Sequence, residues 1–250
     1  MSVNDKVPDS YGHRRWVRIS HWTIVASFLT LVVTGILILM VHPRLYWGEV
    51  GNDLVPALIE IPISNNHQPE GWQQTTVFSS VPGSPVSADR TYSIFNENGW
   101  GRSLHFLAAW LLVATGLFYL FAGLFGGHLR RNILPAAKDL APGALLNDAR
   151  EHMRPRRDVG GGPPYGAVQK MSYAGVVFFA LPLMLLTGLT MSPAVTAAVP
   201  FLLDVFGGYQ SARTIHFFGF LALLLFVVVH VAMVFVTGAG RQLRAMTLGK

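Results

Sequence analysis

Four long apolar stretches constrain this sequence more than any other feature. Each contains about 20 residues, which is the length that a helix needs to cross the hydrocarbon core of a bilayer. They cover residues 17–41, 104–125, 171–191 and 215–236. We therefore expect an all-α integral membrane protein, a four-transmembrane-helix bundle that forms a single domain over residues 1–250.

The composition supports this interpretation and excludes a soluble enzyme. Apolar residues make up 51% of the chain and charged residues only 13%, whereas soluble domains carry about 25% charged residues. The chain has no cysteine, which excludes disulfides and cysteine-ligated zinc or iron–sulfur clusters. Any metal must therefore be held by histidines or carboxylates.

The basic residues are distributed unevenly between the two sides of the predicted membrane. Residues 1–20, 126–170 and 237–250 contain 15 of the 19 lysines and arginines. Cytoplasmic loops carry such a basic excess, so these residues indicate topology rather than nucleic-acid binding. We expect both termini and the loop 126–170 to be cytoplasmic, in a bacterial inner (plasma) membrane, and residues 42–101 to be periplasmic.

The predicted periplasmic loop, residues 42–101, is far longer than a connection between two helices requires. Long loops in compact proteins are usually functional or disordered, and the aromatic content of this loop argues against disorder. Its aromatic residues include Trp47, Trp72, Phe78, Tyr92, Phe95 and Trp100. Two interpretations remain open: a docking surface for an extracytoplasmic partner, and a cap that rests on the helix ends.

Four histidines lie inside the predicted spans, where an ionisable residue is costly and indicates function. They are His21, His105, His216 and His230. The predicted orientation places His105 and His216 at the periplasmic level. It places His21 and His230 at the cytoplasmic level. His216 and His230 are 14 residues apart on one helix, so their rings lie on nearly the same face.

This arrangement predicts two pairs of axial ligands for b-type haem. Haem iron accepts histidine as an axial ligand, so His105 and His216 are expected to bind a periplasmic-side haem. His21 and His230 are expected to bind a second haem on the cytoplasmic side. A single membrane histidine more often forms a helix–helix hydrogen bond, but four histidines paired in depth favour metal ligation.

An arginine precedes three of these histidines by three positions, namely Arg18, Arg102 and Arg213. On a helix this offset places both side chains on one face. Haem carries two propionates, and arginine is a good partner for carboxylates in partly dry sites. We therefore expect the three arginines to contact haem, and Gly35 and Gly116 to leave room for a porphyrin edge.

These residues resemble those of the cytochrome b membrane subunits of respiratory formate dehydrogenase, nickel–iron hydrogenase and thiosulfate reductase. The similarity covers all four spans and is strongest at the four histidines and in the run Phe206-Gly-Gly-Tyr-Gln-Ser-Ala-Arg-Thr-Ile-His216. The third span, from Gln169 to Pro193, is most similar to the thiosulfate reductase branch. The resemblance implies two haem b groups and a periplasmic oxidoreductase partner of the molybdopterin type.

The resemblance also implies a quinone site beside the cytoplasmic haem, at the cytoplasmic end of the third span. Formate dehydrogenase subunits carry a Tyr-Asn-Ala-Gly-Gln-Lys stretch there, where this sequence reads Tyr165-Gly-Ala-Val-Gln-Lys170. The asparagine implicated in quinone contact is replaced by Gly166. We expect Gln169, Lys170 and Tyr173 to contact quinone, and interfacial anchoring is the alternative role for each of them.

The sequence therefore predicts an electron-transfer subunit with no catalytic side chain of its own. Electrons would pass between a periplasmic oxidoreductase and the membrane quinone pool through two haems, while the protein supplies their ligands and surroundings. Two alternatives remain. A partner-free dihaem cytochrome b would react with a small periplasmic oxidant or reductant. A haem-free anchor or metal transporter would use the histidines as metal or proton relays.

Overall fold

Three unbroken helices and one composite helix account for the four predicted spans in the computed structural model. The unbroken helices are α1 (Arg15–Val41), α2 (Asn98–Phe125) and α7 (Tyr209–Val236). The composite helix joins α3 (Ala167–Gly175), a π-helical turn (Val176–Ala180) and α4 (Leu181–Thr190). The structure describes residues 13–41, 43–52, 55–61, 98–129, 133–135, 141, 143 and 166–249.

Shorter elements lie between and after these helices. They are β1 (Arg44–Leu45), β2 (Ile59–Glu60), α5 (Pro193–Ala198), α6 (Phe201–Phe206) and α8 (Ala239–Thr247). Several residues singled out in the sequence lie outside the described residues. They are Trp72, Phe78, Tyr92, Phe95 and Tyr165.

The four helices are apolar and long enough to cross a membrane, which confirms the predicted all-α membrane fold. Their spans are Arg15–Met40, Trp100–Phe125, Ala167–Thr190 and Tyr209–Val236, with mean hydropathies between 1.9 and 2.8. Each span begins a few residues before its predicted start. Polar residues at the end of an apolar stretch can still make helical backbone hydrogen bonds, so the hydropathy pattern misses the first turn.

The third span changes its helical hydrogen bonding next to a proline. Pro182 has no backbone N–H, and its ring crowds the carbonyl of residue 178, so a regular α-helical pattern cannot pass through this point. The π-helical turn Val176–Ala180 lies directly before it and absorbs the mismatch. The helix continues on both sides, and the proline therefore does not end the span.

The chain divides into two compact units, and each membrane-spanning helix contributes residues to both. The first unit comprises Met1–Ala26, Leu112–Phe178 and Leu223–Lys250, and the second comprises Ser27–Leu111 and Phe179–Ala222. Small hydroxylated side chains are among the most buried span residues of the second unit. They include Ser27, Thr34, Thr187 and Thr190. Such small residues allow membrane helices to approach closely.

In the second unit, the segment that follows α1 is fixed to the start of α7. β1 and β2 pair in antiparallel orientation, and Arg44 Nε donates to Glu60 Oε1 at 3.1 Å. These contacts support the cap interpretation of this part of the loop. The docking interpretation stays a prediction, and Trp47 in this segment is 62% exposed.

Three hydrogen bonds join this segment to the start of α7. They run from Thr214 Oγ1 to Tyr46 O (2.6 Å), from Gly48 N to Ser211 Oγ (2.7 Å) and from Arg213 Nη1 to Arg44 O (3.1 Å).

Two glycines form the turn between α6 and α7. Gly207 has a φ of 70° and Gly208 a φ of 105°, a region that residues with a Cβ rarely adopt. A Cβ at Gly208 would lie 2.6 Å from the carbonyl carbon and oxygen of Gly48. Glycine is therefore required at this position both by the backbone conformation and by the close approach of the capping segment.

Replacing Gly208 by alanine is expected to lower the melting temperature of the detergent-solubilised protein. The left-handed conformation costs about 1–2 kcal/mol with a Cβ present, and the contact with Gly48 adds roughly 1–3 kcal/mol of overpacking. Gly240→Ala is the matched control, because no atom lies within 4 Å of a Cβ added there. Equal melting temperatures for the two variants would contradict this account of the turn.

In the first unit, α8 is fixed to the start of α1. Arg18 Nη1 donates to Thr247 O at 2.6 Å, and Trp22 Nε1 donates to Met246 O at 3.1 Å. The last carbonyls of a helix have no partner within the helix, and a basic side chain near them is favourable. Arg18 and Trp22 therefore satisfy the C-terminal end of α8.

Candidate functional site

The second unit contains His105 on α2 and His216 on α7. Both imidazoles are half-buried, and they are close enough to interact electrostatically. The two histidines that the sequence pairs at the periplasmic level therefore lie together. Haem ligation by this pair stays a prediction.

His105 is held by a threonine of α1. Its Nδ1 lies 2.9 Å from Thr34 Oγ1, and the same hydroxyl donates to Thr30 O at 2.7 Å. Thr34 is 1% exposed, so the hydrogen bond is shielded from solvent. Because the threonine occupies the Nδ1 edge of the ring, the Nε2 edge is the one that remains for iron.

His216 is held in the same way by a threonine of α4. Its Nδ1 lies 2.8 Å from Thr187 Oγ1, which also donates to Leu183 O at 2.7 Å. A glycine follows each threonine, and a Cβ at Gly35 or Gly188 would lie 3.6 Å from Cε1 of the corresponding imidazole. Each ring therefore rests against a Thr-Gly step of the neighbouring helix.

The two halves of the chain carry the same pair of short motifs. Thr-Gly occurs at residues 34–35, 115–116, 187–188 and 237–238, and Arg-(Ser/Thr)-(Leu/Ile)-His-Phe occurs at residues 102–106 and 213–217. In each half, the threonine of the first Thr-Gly step contacts the histidine of the Arg-(Ser/Thr)-(Leu/Ile)-His-Phe motif. Hydropathy and charge identify the histidines from the sequence, but they do not identify the threonines. This internal repeat is the sequence signal that could have identified them.

The first unit contains His21 on α1 and His230 on α7, which are also close enough to interact electrostatically. His21 Nδ1 is buried and has no hydrogen-bond partner within the described part of the chain. The ring of His230 stacks on Phe226 at a centroid distance of 5.9 Å and meets Tyr173 edge-on at 6.1 Å. The second predicted pair therefore also lies together, but in aromatic surroundings.

The three arginines predicted to contact haem lie in different environments. Arg213 donates to the carbonyl of Arg44 and Arg18 to that of Thr247, while Arg102 is exposed at the start of α2. Arg18 Nε is buried and has no hydrogen-bond partner among the described residues. Two of the guanidinium groups therefore have a structural role in addition to the predicted contact with haem, which stays a prediction.

The candidate quinone residues lie on α3. Gln169 Nε2 donates to the hydroxyl of Tyr173 at 2.8 Å, and the Tyr173 ring contacts both Phe226 and His230. Lys170 follows Gln169 and is half-buried. The structure therefore brings Gln169 and Tyr173 together beside a predicted haem ligand, which a sequence pattern alone could not establish.

A further aromatic cluster in the first unit was not identified from the sequence. Tyr119 OH lies 3.2 Å from His128 Nε2, and the Trp16 ring packs against both residues at centroid distances of 5.5 Å. Tyr119 is also close enough to Tyr173 for electrostatic interaction. Tyr119 lies 14 residues after His105, as His230 does after His216, so the internal repeat could have pointed to it.

The residues present fit haem b. Haem iron takes axial side-chain ligands and the porphyrin fills its remaining positions, and the chain supplies its membrane imidazoles in pairs. Arg18 Nε is a buried donor one helical turn from His21 and suits a propionate. A metal held by protein alone needs three or four ligands, and the described residues contain no group of three or more His, Asp or Glu side chains that could hold one.

The chain belongs to the prokaryotic cytochrome b561 family, whose model matches residues 12–249. It is therefore a membrane cytochrome that binds haem b and takes part in electron transport, which confirms the resemblance to membrane cytochrome b subunits.

One relative comes from Azospira oryzae and is 27% identical over 222 residues, covering 89% of each chain. It is provisionally named protein-methionine-sulfoxide reductase subunit YedZ1. No solved structure matches the chain.

Proposed function

We propose that this chain is a dihaem electron-transfer subunit that connects a periplasmic oxidoreductase with the membrane quinone pool. His105 and His216 ligate one haem b, and His21 and His230 ligate the other. The observation that carries the proposal is the placement of the four membrane histidines in two pairs, one in each compact unit. Haem b supplies a one-electron carrier at each pair when it is bound.

The surrounding residues have defined tasks in this proposal. Phe226 stacks on His230 and keeps water away from that imidazole. Arg18 Nε donates a charge-assisted hydrogen bond to a propionate beside His21. Arg102 and Arg213 provide positive charge one helical turn before His105 and His216, and Arg213 also holds the capping segment in place.

The relative from Azospira oryzae supports an oxidoreductase partner, because its name describes a subunit of a reductase. A reductase consumes electrons, so we propose that they flow from quinol through this chain to the partner. The segment after α1 presents an exposed Trp47 beside the start of α7, and an exposed aromatic side chain is typical of a docking surface. A partner-free cytochrome is less well supported, because the name of the relative describes a subunit of a larger enzyme.

We also propose the topology that the basic residues predict. Both termini and the loop 126–170 are cytoplasmic, and the chain spans the inner membrane of a bacterium. Residues 1–250 act as a single cytochrome domain, because each membrane-spanning helix contributes residues to both compact units.

Quinone is proposed to bind beside His230. The hydroxyl of Tyr173 and the amide of Gln169 are polar groups within the third membrane span, and the edge of the Tyr173 ring contacts the His230 imidazole. Polar groups inside a membrane protein usually mark a ligand or proton pathway. Lys170, on the same turn of α3, could exchange protons with the cytoplasmic side.

The purified protein is expected to contain two haem b per chain, and a quinol analogue is expected to reduce both. Tyr173→Phe removes the hydroxyl that Gln169 contacts but keeps the ring beside His230. Quinol-dependent reduction should slow about tenfold, since one lost hydrogen bond of about 1.4 kcal/mol has this effect. Stopped-flow absorbance in the b-type α band measures the rate.

Ser172→Ala is the matched control for this measurement, because Ser172 adjoins Tyr173 and donates its hydroxyl to Val168 O in its own helix. Its rate should equal that of the wild type. One haem or none per chain contradicts ligation by two histidine pairs. If dithionite reduces both haems and quinol reduces neither of them, the quinone part of the proposal is contradicted.

A further inference from the structure

We propose that Thr34 and Thr187 are positioning residues that fix the tautomer and the orientation of the His105 and His216 imidazoles and thereby set the redox potential of the haem they bind. Each threonine accepts a hydrogen bond from Nδ1–H and directs Nε2 towards iron. This inference rests on the proposed function, because ligation by these two histidines is part of that function.

The direction of the two hydrogen bonds follows from counting protons. A threonine hydroxyl has one proton to donate and lone pairs to accept with. Thr34 Oγ1 gives its proton to Thr30 O at 2.7 Å, and Thr187 Oγ1 gives its proton to Leu183 O at 2.7 Å. Each hydroxyl can therefore only accept from the imidazole, so the proton of the ring lies on Nδ1.

The position of the ring proton determines which nitrogen can ligate iron. A neutral imidazole that carries its proton on Nδ1 has the lone pair on Nε2, and this is the atom that can ligate iron.

The hydrogen bond also affects the electronic properties of the ligand. A partner that accepts the outer N–H of a ligating histidine fixes the ring and raises the basicity of the ligand. A more basic imidazole donates more electron density to the iron and stabilises its ferric state, which lowers the reduction potential. Both ligands of the second unit have such a partner, so we expect the two threonines to act in the same direction.

The first unit lacks this arrangement within the described residues. His21 Nδ1 has no hydrogen-bond partner there, and His230 is surrounded by the rings of Phe226 and Tyr173. A threonine therefore lies beside each histidine of the pair in the second unit. No such threonine is described beside the pair in the first unit. Changes to Thr34 or Thr187 should consequently affect one haem of the two.

The test uses the purified holoprotein and the variants Thr34→Val and Thr187→Val. Valine keeps the shape of the side chain and removes the hydroxyl. In a potentiometric titration, one midpoint potential should rise in each variant and the other should stay at its wild-type value. Transfer of haem to apomyoglobin should show a loss of affinity for the same haem of about 10–100-fold.

Two further variants separate the hydrogen bond from packing. Thr190→Val is the matched control, because Thr190 is also fully buried on α4 and donates to the carbonyl of Leu186, with no histidine contact described. It should keep both potentials. Thr34→Ser retains the hydroxyl and should restore most of the wild-type potential, whereas a purely steric role for Thr34 would leave serine as ineffective as valine.

The outcomes distinguish this inference from the proposed function. If both valine variants keep the wild-type potentials and haem affinity, the positioning role is wrong, and ligation by His105 and His216 is unaffected. The positioning role is also wrong if Thr34→Ser behaves like Thr34→Val, or if Thr190→Val shifts a potential to the same extent. If alanine variants of His105 and His216 retain two haems, ligation itself is wrong.

Discussion

The His216→Ala variant is expected to bind one haem b per chain, compared with two in the wild type. Alanine removes the imidazole that α7 supplies to the pair in the second unit, and His105 alone cannot provide two ligands for the haem. His21 and His230 are unchanged, so their haem should be retained. Pyridine haemochromogen spectra together with the protein concentration give the number of haems per chain.

Two companion variants make the result specific. His230→Ala should also reduce the count to one, but the haem that remains should be the one whose potential responds to Thr34→Val. His67→Ala is the control, because His67 lies in the sequence between α1 and α2 and outside the spans, and it should keep two haems. Two haems in the His216→Ala protein would show that the histidines are paired differently or do not ligate haem.

The membrane fold could be predicted from the sequence because the bilayer imposes one dominant constraint. Each span must be long, apolar and helical, and all four spans of the structure overlap the predicted ones. The four histidines could be located for the same reason, since a polar residue stands out in an apolar stretch. The position of each histidine along its span predicts which histidines lie at the same depth in the membrane. Each predicted pair is found within one compact unit.

The partners of individual polar groups could not be predicted in this way. The position of Arg18 three residues before His21 predicts a contact with haem, but Arg18 also contacts the end of α8, which is far away in sequence. Arg213 similarly contacts the segment after α1. Local spacing determines which face of a helix a side chain occupies, and it does not determine which distant segment packs there.

The two threonines could not be identified from a single span, for a different reason. Thr and Ser are common in membrane helices because their hydroxyls can bond to the carbonyl four residues earlier, so neither Thr34 nor Thr187 stands out alone. Their importance is visible only when the Thr-Gly step that precedes the Arg-(Ser/Thr)-(Leu/Ile)-His-Phe motif in one half of the chain is compared with its counterpart in the other half. A repeated motif carries information that the composition of a single span does not.

The His21→Ala variant is expected to lose quinol-dependent reduction of its remaining haem completely, while dithionite still reduces that haem. Gln169 and Tyr173 lie beside the histidine pair of the first unit. Because alanine removes one ligand of this pair, the haem that would accept electrons from quinol is lost. The remaining ligands are His105 and His216, and His216 is 14 residues from His230 along α7. Quinol oxidation should therefore stop although one haem is still present.

The His216→Ala variant is the matched control for this experiment, because it also contains one haem but keeps the pair beside Tyr173. A quinol analogue should reduce that haem at close to the wild-type rate. The two single-haem proteins therefore differ only in which pair survives, and stopped-flow reduction by the same quinol compares them directly. If quinol reduces the His21→Ala protein at the wild-type rate, the quinone must bind at the second unit, and the assignment to Gln169, Lys170 and Tyr173 is wrong.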